Sequence, residues 1–371
     1  MVSLKIDNIE IRAEEGSTIL KVASGAGLNI PVLCHSEGLP HYSSCMVCMV
    51  KDKRKGNFIP SCSALVQEGM DIDASGEDVI TIRKKSVELL FSEHRAECEA
   101  PCRIVCPAGY NIPVMNRLIS SRDFEGAYEL VASETDYSEI RCINCSAYCE
   151  NACRRKKVDI PVSIRNIKIF IYNDLVRQNR VSAEVGVQSE IAKKPVRRFS
   201  SRIGKLETTE FQEWLKECGS GSRERDITNI ENAFNEAQSC MHCDCRAIDD
   251  CKLRELATQF SIKDSGDRKI VNAPIEKKIN HNTGLIFENA KCIKCGLCVR
   301  ICEDSGDEPA LCFINRGFVS IISEPLTHEF GDLLKTQTDK VVNICPTGAL
   351  GRFATPYPQG GAQNPIEETI K

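Results

Sequence analysis

Five bunches hold all but two of the 22 cysteines in this chain of 371 residues, with Cys218 and Cys312 standing apart. They are Cys34/Cys45/Cys48/Cys62; Cys98/Cys102/Cys106, with His94 just ahead; Cys142/Cys145/Cys149/Cys153; Cys240/Cys243/Cys245/Cys251; and Cys292/Cys295/Cys298/Cys302, with Cys345 further on. Thiolate sulfur is a soft donor that suits zinc, copper(I) and iron–sulfur clusters, so intervals this short point to metal chemistry rather than a disulfide framework. Compartment supports the same conclusion. The opening MVSLKIDNIEIRAEEGST has no basic stretch leading into an apolar one, and no later run approaches the length that spans a bilayer. A cytoplasmic, reducing location is expected, where disulfides are rare.

Those thiols need scaffolds to aim them. With 42% hydrophobic but only 6% aromatic residues, the chain reads as an α+β multidomain protein whose small domains have modest cores and draw stability from bound cofactors. A net charge of −4 with mixed signs gives no case for a nucleic-acid or membrane partner, which leaves proteins. Alternation predicts strands over Val2–Ile6 and Ile9–Ile11 around an Asp7-Asn8 turn, then a helix over Thr18–Ser24. Apolar spacing at Val79, Ile82, Val87, Leu90 and Phe91 predicts a second helix over Asp78–His94 that delivers His94 to the next site. The expected divisions are 1–77, 78–178, a linker with a cysteine motif over 179–280, 281–353, and a flexible tail over 354–371.

The first bunch is spaced C-x10-C-x2-C-x13-C, wider at its start than the plant-type [2Fe–2S] pattern. The stretches Ile30-Pro31-Val32-Leu33-Cys34-His35, Ser44-Cys45-Met46-Val47-Cys48 and Pro60-Ser61-Cys62 resemble the β-grasp [2Fe–2S] domain of [FeFe]-hydrogenases and of the large iron–sulfur subunit of complex I. The resemblance implies one [2Fe–2S] cluster on Cys34, Cys45, Cys48 and Cys62, with His35 and His41 left as loop residues.

The second and third bunches read H-x3-C-x3-C-x3-C-P and C-x2-C-x3-C-x3-C. With Cys106-Pro107-Ala108-Gly109-Tyr110-Asn111-Ile112-Pro113, Phe124-Glu125-Gly126-Ala127 and Cys149-Glu150-Asn151-Ala152-Cys153-Arg154-Arg155, they resemble the helical two-cluster domain of the glutamate synthase small subunit and dihydropyrimidine dehydrogenase. That resemblance implies interleaved [4Fe–4S] sites, one on His94, Cys98, Cys102 and Cys153, the other on Cys106, Cys145 and Cys149. Its fourth ligand is open because Arg165 and Lys168 stand where relatives can place a non-cysteine ligand; Cys142, three residues before Cys145, is expected to fill the vacancy. Imidazole is less electron-donating than thiolate, so a cluster on His94 should have a raised potential.

Cys240, Cys243, Cys245 and Cys251, spaced C-x2-C-x-C-x5-C, are read as one [4Fe–4S] site, with structural zinc as the alternative. Cys292, Cys295 and Cys298 open a C-x2-C-x2-C-x3-C run like that of bacterial ferredoxins, and Cys345-Pro346 supplies the fourth ligand of another [4Fe–4S] site. The total is one [2Fe–2S] and four [4Fe–4S] clusters, leaving Cys218, Cys302 and Cys312 spare. Gly25-Ala26-Gly27 lacks the third glycine of a dinucleotide loop, so no flavin or NAD is expected on this chain.

These features imply an electron-transfer subunit with no substrate-transforming site. Its expected partners are a flavin- and NAD(P)-binding subunit and [NiFe]-hydrogenase subunits of a hetero-oligomeric, electron-bifurcating complex. A transhydrogenase or formate dehydrogenase complex is the alternative. A zinc-binding assembly or interaction protein is the alternative of another class, and it would be colourless. The basic run Lys193-Lys194-Pro195-Val196-Arg197-Arg198 reads as a solvated face or a docking site.

Overall fold

A computed structural model describes residues 1–94, 98–134, 142–178, 212, 214–219, 223, 225–247, 250–262, 276–304, 310–325 and 328–352. The basic run at 193–198 and the tail at 354–371 lie outside these.

β1 (Val2–Ile6) and β2 (Ile9–Ala13) pair antiparallel from Val2↔Ala13 to Ile6↔Ile9. Asp7 and Asn8 turn the chain at φ 49° and 70°, the left-handed pair that a two-residue hairpin between twisted strands requires. The Thr18 hydroxyl accepts from Lys21 N at 3.2 Å to cap α1 (Ile19–Gly25), which buries Ile19, Leu20 and Ala23 against the sheet. β3 (Met49–Asp52), β4 (Asn57–Pro60) and β5 (Asp71–Asp73) complete the order β2-β1-β5-β3-β4, with β1 and β5 parallel. This is a β-grasp arrangement. Cys48 and Cys62 share its core with Ile6, Val50 and Ile72, so the first bunch grows directly out of the packed interior.

α2 (Glu77–Glu93) begins with Glu77 and Asp78, which favour the positive end of the helix, and its Arg83 donates to Met49 O at 2.8 Å. It ends on His94. A helical body follows, made of α3 (Pro101–Ile104), α4 (Ile112–Ser120), α5 (Phe124–Glu134), α6 (Tyr148–Asn151), α7 (Ile164–Arg177) and α8 (Ile230–Ala237). Proline starts α3, where no helical N–H is missed, and Ile112, Met115, Ile119, Ile167, Ile171 and Ala233 form the shared core. α9 (Lys252–Gln259) returns to pack on α2.

The last unit has a hairpin of β6 (Lys277–Asn280) and β7 (Leu285–Glu288), then α10 (Leu297–Asp304), the pair β8 (Cys312–Ile314) and β9 (Ile321–Ser323), α11 (Thr338–Ile344), and β10 (Leu350–Arg352) beside β7. No described helix is long and apolar enough to cross a membrane.

Candidate metal centres

The first bunch sits on the loops either side of β3 and β4. Cys34, Cys45, Cys48 and Cys62 are all nearly inaccessible, and their thiols associate two by two: Cys34 with Cys45, Cys48 with Cys62. Within each pair the donated S–H draws one thiol down, Cys34 to about 5 and Cys62 to about 6, while its partner is raised. Two pairs are what a two-iron cluster needs. Ser61 Oγ holds Cys48 O at 2.8 Å, and Ser43 Oγ lies 3.5 Å from Cys62 Sγ.

In the last unit Cys292, Cys295, Cys298 and Cys345 line a cavity whose remaining walls include Phe287, Leu297 and Ile322. Lys294 (φ 54°) and Gly296 (φ 72°) wrap the chain around it, and Lys294 N lies 3.3 Å from Cys292 Sγ. A Cβ on Gly296 would meet the Tyr42 ring at 2.9 Å, so this turn also accommodates the N-terminal domain. Burial pushes Cys295 up to about 12.

A second cavity lies in the helical body, and four cysteines line it too: Cys102, Cys153, Cys240 and Cys243. Asn116 is fully buried on its wall; its amide makes no well-formed hydrogen bond and lies within reach of the Cys240 thiol. Burial pushes Cys240 up to about 12 and Cys102 well above its usual range. Cys102 and Cys153 are expected together; Cys240 and Cys243 join them from the segment that follows α8.

Cys98 is not on this cavity. It accepts from Cys245 N at 2.9 Å, and Cys98, Cys245 and Cys251 are mutual electrostatic neighbours in a different apolar cluster. A Cβ on Gly348 would collide with Cys245 Sγ. His94 is buried nearby, its Nδ1 donating to Lys291 O at 2.9 Å, and burial draws it down to about 4, a neutral imidazole with Nε2 as the remaining acceptor. A metal-binding histidine commonly has this partner on its other nitrogen.

The structure therefore distributes the expected ligands differently from their order in the chain. The groups His94/Cys98/Cys102/Cys153 and Cys240/Cys243/Cys245/Cys251 are each divided. The reason is local: His242 takes φ 45°, and the buried Asp244 is held by a bidentate pair with Arg117 at 2.6 and 2.8 Å, which separates Cys243 from Cys245. The remaining set, Cys106, Cys142, Cys145 and Cys149, is half-exposed on the helical body. Burial raises Cys142, beside Cys106, Cys145 and the buried Lys168, and pushes Cys149 up to about 12. A Cys142→Ser variant is expected to lose iron from this site alone; unchanged metal content and spectrum would remove Cys142 from it.

Among the described residues no three His, Cys, Asp or Glu side chains converge tightly enough to hold a single metal ion. Tetrahedral zinc would gather its thiolates at about 2.3 Å from one centre. Thiols spread around a cavity suit a group of several metal atoms, and two cavities are each lined by four cysteines. Residues 1–76 match the family described as 2Fe-2S iron-sulfur cluster binding domain, 87–180 that of dihydropyrimidine dehydrogenase domain II, 4Fe-4S cluster, and 285–351 that of NADH-quinone oxidoreductase subunit 3, ferredoxin-like domain.

The chain carries three iron–sulfur domains. As an iron–sulfur protein it is 30% identical over 152 residues to the NAD-reducing hydrogenase HoxS subunit gamma of Cupriavidus necator, covering 39% of this chain and 62% of that one. It is 29% identical over 140 residues to the NADPH-Fe(3+) oxidoreductase subunit alpha of Geobacter sulfurreducens, covering 38% and 15%. The matches thus span less than two thirds of these relatives. A crystal structure of NAD+-reducing [NiFe]-hydrogenase in the H2-reduced state shares the fold at a TM-score of 0.50 and 16% identity, over 97% of this chain and 90% of that one. The three domain matches leave 77–86 and 181–284 between them, and Cys240, Cys243, Cys245 and Cys251 lie in the second interval.

Several residues that shape the sites escaped the sequence reading. Arg300, 1% exposed, donates to Cys34 O at 2.7 Å and Cys295 O at 3.1 Å, joining a ligand of the first bunch to one of the last. Lys291 is buried against Glu288 at 2.6 Å; burial opposes its charge, but Glu288 and the Cys245 thiol outweigh it and its pKa is raised. The only sequence signal for either was a basic residue in an apolar cysteine block.

Proposed function

We propose that this chain is the electron-transfer subunit of a cytoplasmic, multi-subunit NAD(P)-linked oxidoreductase, an electron-bifurcating [NiFe]-hydrogenase complex, in which other subunits hold flavin, NAD(P) and the nickel site. The supporting observation is that three of the cysteine sites are linked through shared hydrogen-bonding residues. Arg300 links the Cys34 and Cys295 peptides, and the Lys291 carbonyl receives both His94 Nδ1 and Thr347 Oγ1, each at 2.9 Å. Bound clusters supply one-electron storage and transfer, and the proposed complement, one [2Fe–2S] and four [4Fe–4S], amounts to about eighteen irons per chain.

This chain's own residues fix the spacing and the local charge. Buried Lys291 sets a positive charge beside Cys245, and neutral His94 in place of a thiolate leaves its site less negative. Both effects favour the reduced state there. His94→Cys is expected to lower one cluster's midpoint potential by on the order of 100 mV in a redox titration, given how far imidazole ligation raises Rieske potentials. An unmoved potential would take His94 out of the ligand set.

Relatives named as hydrogenase subunits support that parent complex, and one named as a putative formate dehydrogenase keeps the alternative in view. Anaerobic isolation from the native cell, with the co-purifying chains identified, tests this. Nickel-site and flavin subunits are expected. Recovery with only dinucleotide-binding flavoproteins would move the chain to a transhydrogenase, and recovery as a colourless zinc protein would overturn the electron-transfer reading.

A further inference from the structure

We propose that the described residues between Glu99 and Asp244 form a module inserted into a metal site. On this assignment His94, Cys98, Cys245 and Cys251 are one ligand set at the base of the insertion, and Cys102, Cys153, Cys240 and Cys243 are a second set wholly inside it. The proposal rests on the iron–sulfur reading and deepens it, since neither set follows the order of cysteines along the chain.

The base of the insertion is closed. The chain leaves at Cys98 and returns at Cys245, and the two are directly bonded, Cys245 N to Cys98 O at 2.9 Å. Ion pairs flank that contact: Arg254 with Glu99 at 2.9 Å on the outer side, Arg117 with Asp244 at 2.6 Å on the module side. Both Glu99 and Asp244 are buried, so each pair has a fixed geometry. His94 arrives on α2 and Cys251 opens α9, where its Sγ accepts from Arg254 N at 3.4 Å, and these two helices pack together. Four ligand side chains therefore come from two helix termini and the two chain segments that cross at the base.

Inside the module the second set has its own enclosure. Cys102, Cys153, Cys240 and Cys243 line one cavity, and neither Cys98, Cys245 nor Cys251 is on its wall. The apolar clusters divide in the same way, with Cys102, Cys240 and their two partners in one and Cys98, Cys245 and Cys251 in the other. Joining the ends of a long segment has an entropic cost that rises with its length. A metal centre ligated from both ends offsets that cost, because binding energy at such a site is also folding energy.

The test uses the full-length chain, reconstituted anaerobically, with iron and zinc counted and cluster EPR recorded. Cys240→Ser/Cys243→Ser and Cys245→Ser/Cys251→Ser should each lose about four irons, and the quadruple variant about eight, because two cubanes are removed. The two pair variants should abolish different EPR signals. If the quadruple variant loses only about four irons and both pairs abolish the same signal, the four cysteines hold one cluster and the proposal is overturned.

Should the serine pairs fail to fold, Cys240→Asp and Cys251→Asp, which keep a ligating atom, decide the matter. Two different signals altered supports the division, and one signal altered by both overturns it. Failure of the underlying reading looks different: the wild-type chain would then contain zinc, or no iron, before any substitution is made.

Discussion

Arg300→Met is expected to undock the N-terminal domain from the last unit, at a loss of about 3–5 kcal/mol, while leaving the iron content of both sites intact. The guanidinium is buried and serves four carbonyls: Cys34 O at 2.7 Å, Cys295 O at 3.1 Å, Gly296 O at 3.2 Å and Pro40 O. It also stacks 4.6 Å from the Tyr42 ring centroid. Methionine fills part of the volume but donates nothing, and each buried acceptor left without a partner costs about 1–3 kcal/mol. Arg300→Lys keeps the charge yet cannot fork between two peptides, so it should restore only part of the loss. Anaerobic denaturant titration of the holoprotein measures the stability. Stopped-flow reduction from a donor at the far end measures whether electrons still reach the Cys34 site, and slower filling is expected. Wild-type stability and kinetics in Arg300→Met would show that the domains are held together by other contacts.

Much of this architecture could be read from the sequence because the signals are local. The hairpin at Asp7-Asn8 is marked by two residues that tolerate positive φ, and the apolar spacing ending at Phe91 identifies α2 and its delivery of His94. Cys292, Cys295 and Cys298 wrap one cavity because the left-handed turns at Lys294 and Gly296 keep neighbours in sequence as neighbours in space. The Cys240–Cys251 run reads as a single site, whereas Cys240 and Cys243 line one cavity and Cys245 and Cys251 share an apolar cluster with Cys98. What separates Cys243 from Cys245 is the bond between Asp244 and Arg117 on α4, and what brings Cys245 to Cys98 is a backbone hydrogen bond across the whole helical body. Neither contact leaves a trace in residue spacing. Gly348 illustrates the same limit: it follows Cys345 closely, yet the side chain it makes room for is Cys245.

Glu217→Ala should produce the other large effect, a loss of about 3–5 kcal/mol, because it strands two buried cations. The carboxylate is wholly buried and pairs with both Arg246 and Lys277, the latter 1% exposed. Burial acts to raise its pKa, but the two cations prevail and hold it down at about 2. A depressed carboxylate stabilises fully above its unfolded value and loses that contribution only as pH falls toward the folded one, so measurement at pH 7 captures all of it. The consequence reaches a metal site. Glu217 anchors residues 214–219, where Trp214 packs on Met241 beside Cys243 and the Cys218 thiol donates to Cys240 O at 3.5 Å. Freeing that segment uncovers the cavity of Cys102, Cys153, Cys240 and Cys243, so iron should leave for a chelator faster in Glu217→Ala, from that site first. Cys218→Ser keeps the ion pairs and a donor at the same place, and its release rate should stay near wild type. If Glu217→Ala releases iron no faster than wild type, the buried charges do not hold the cover.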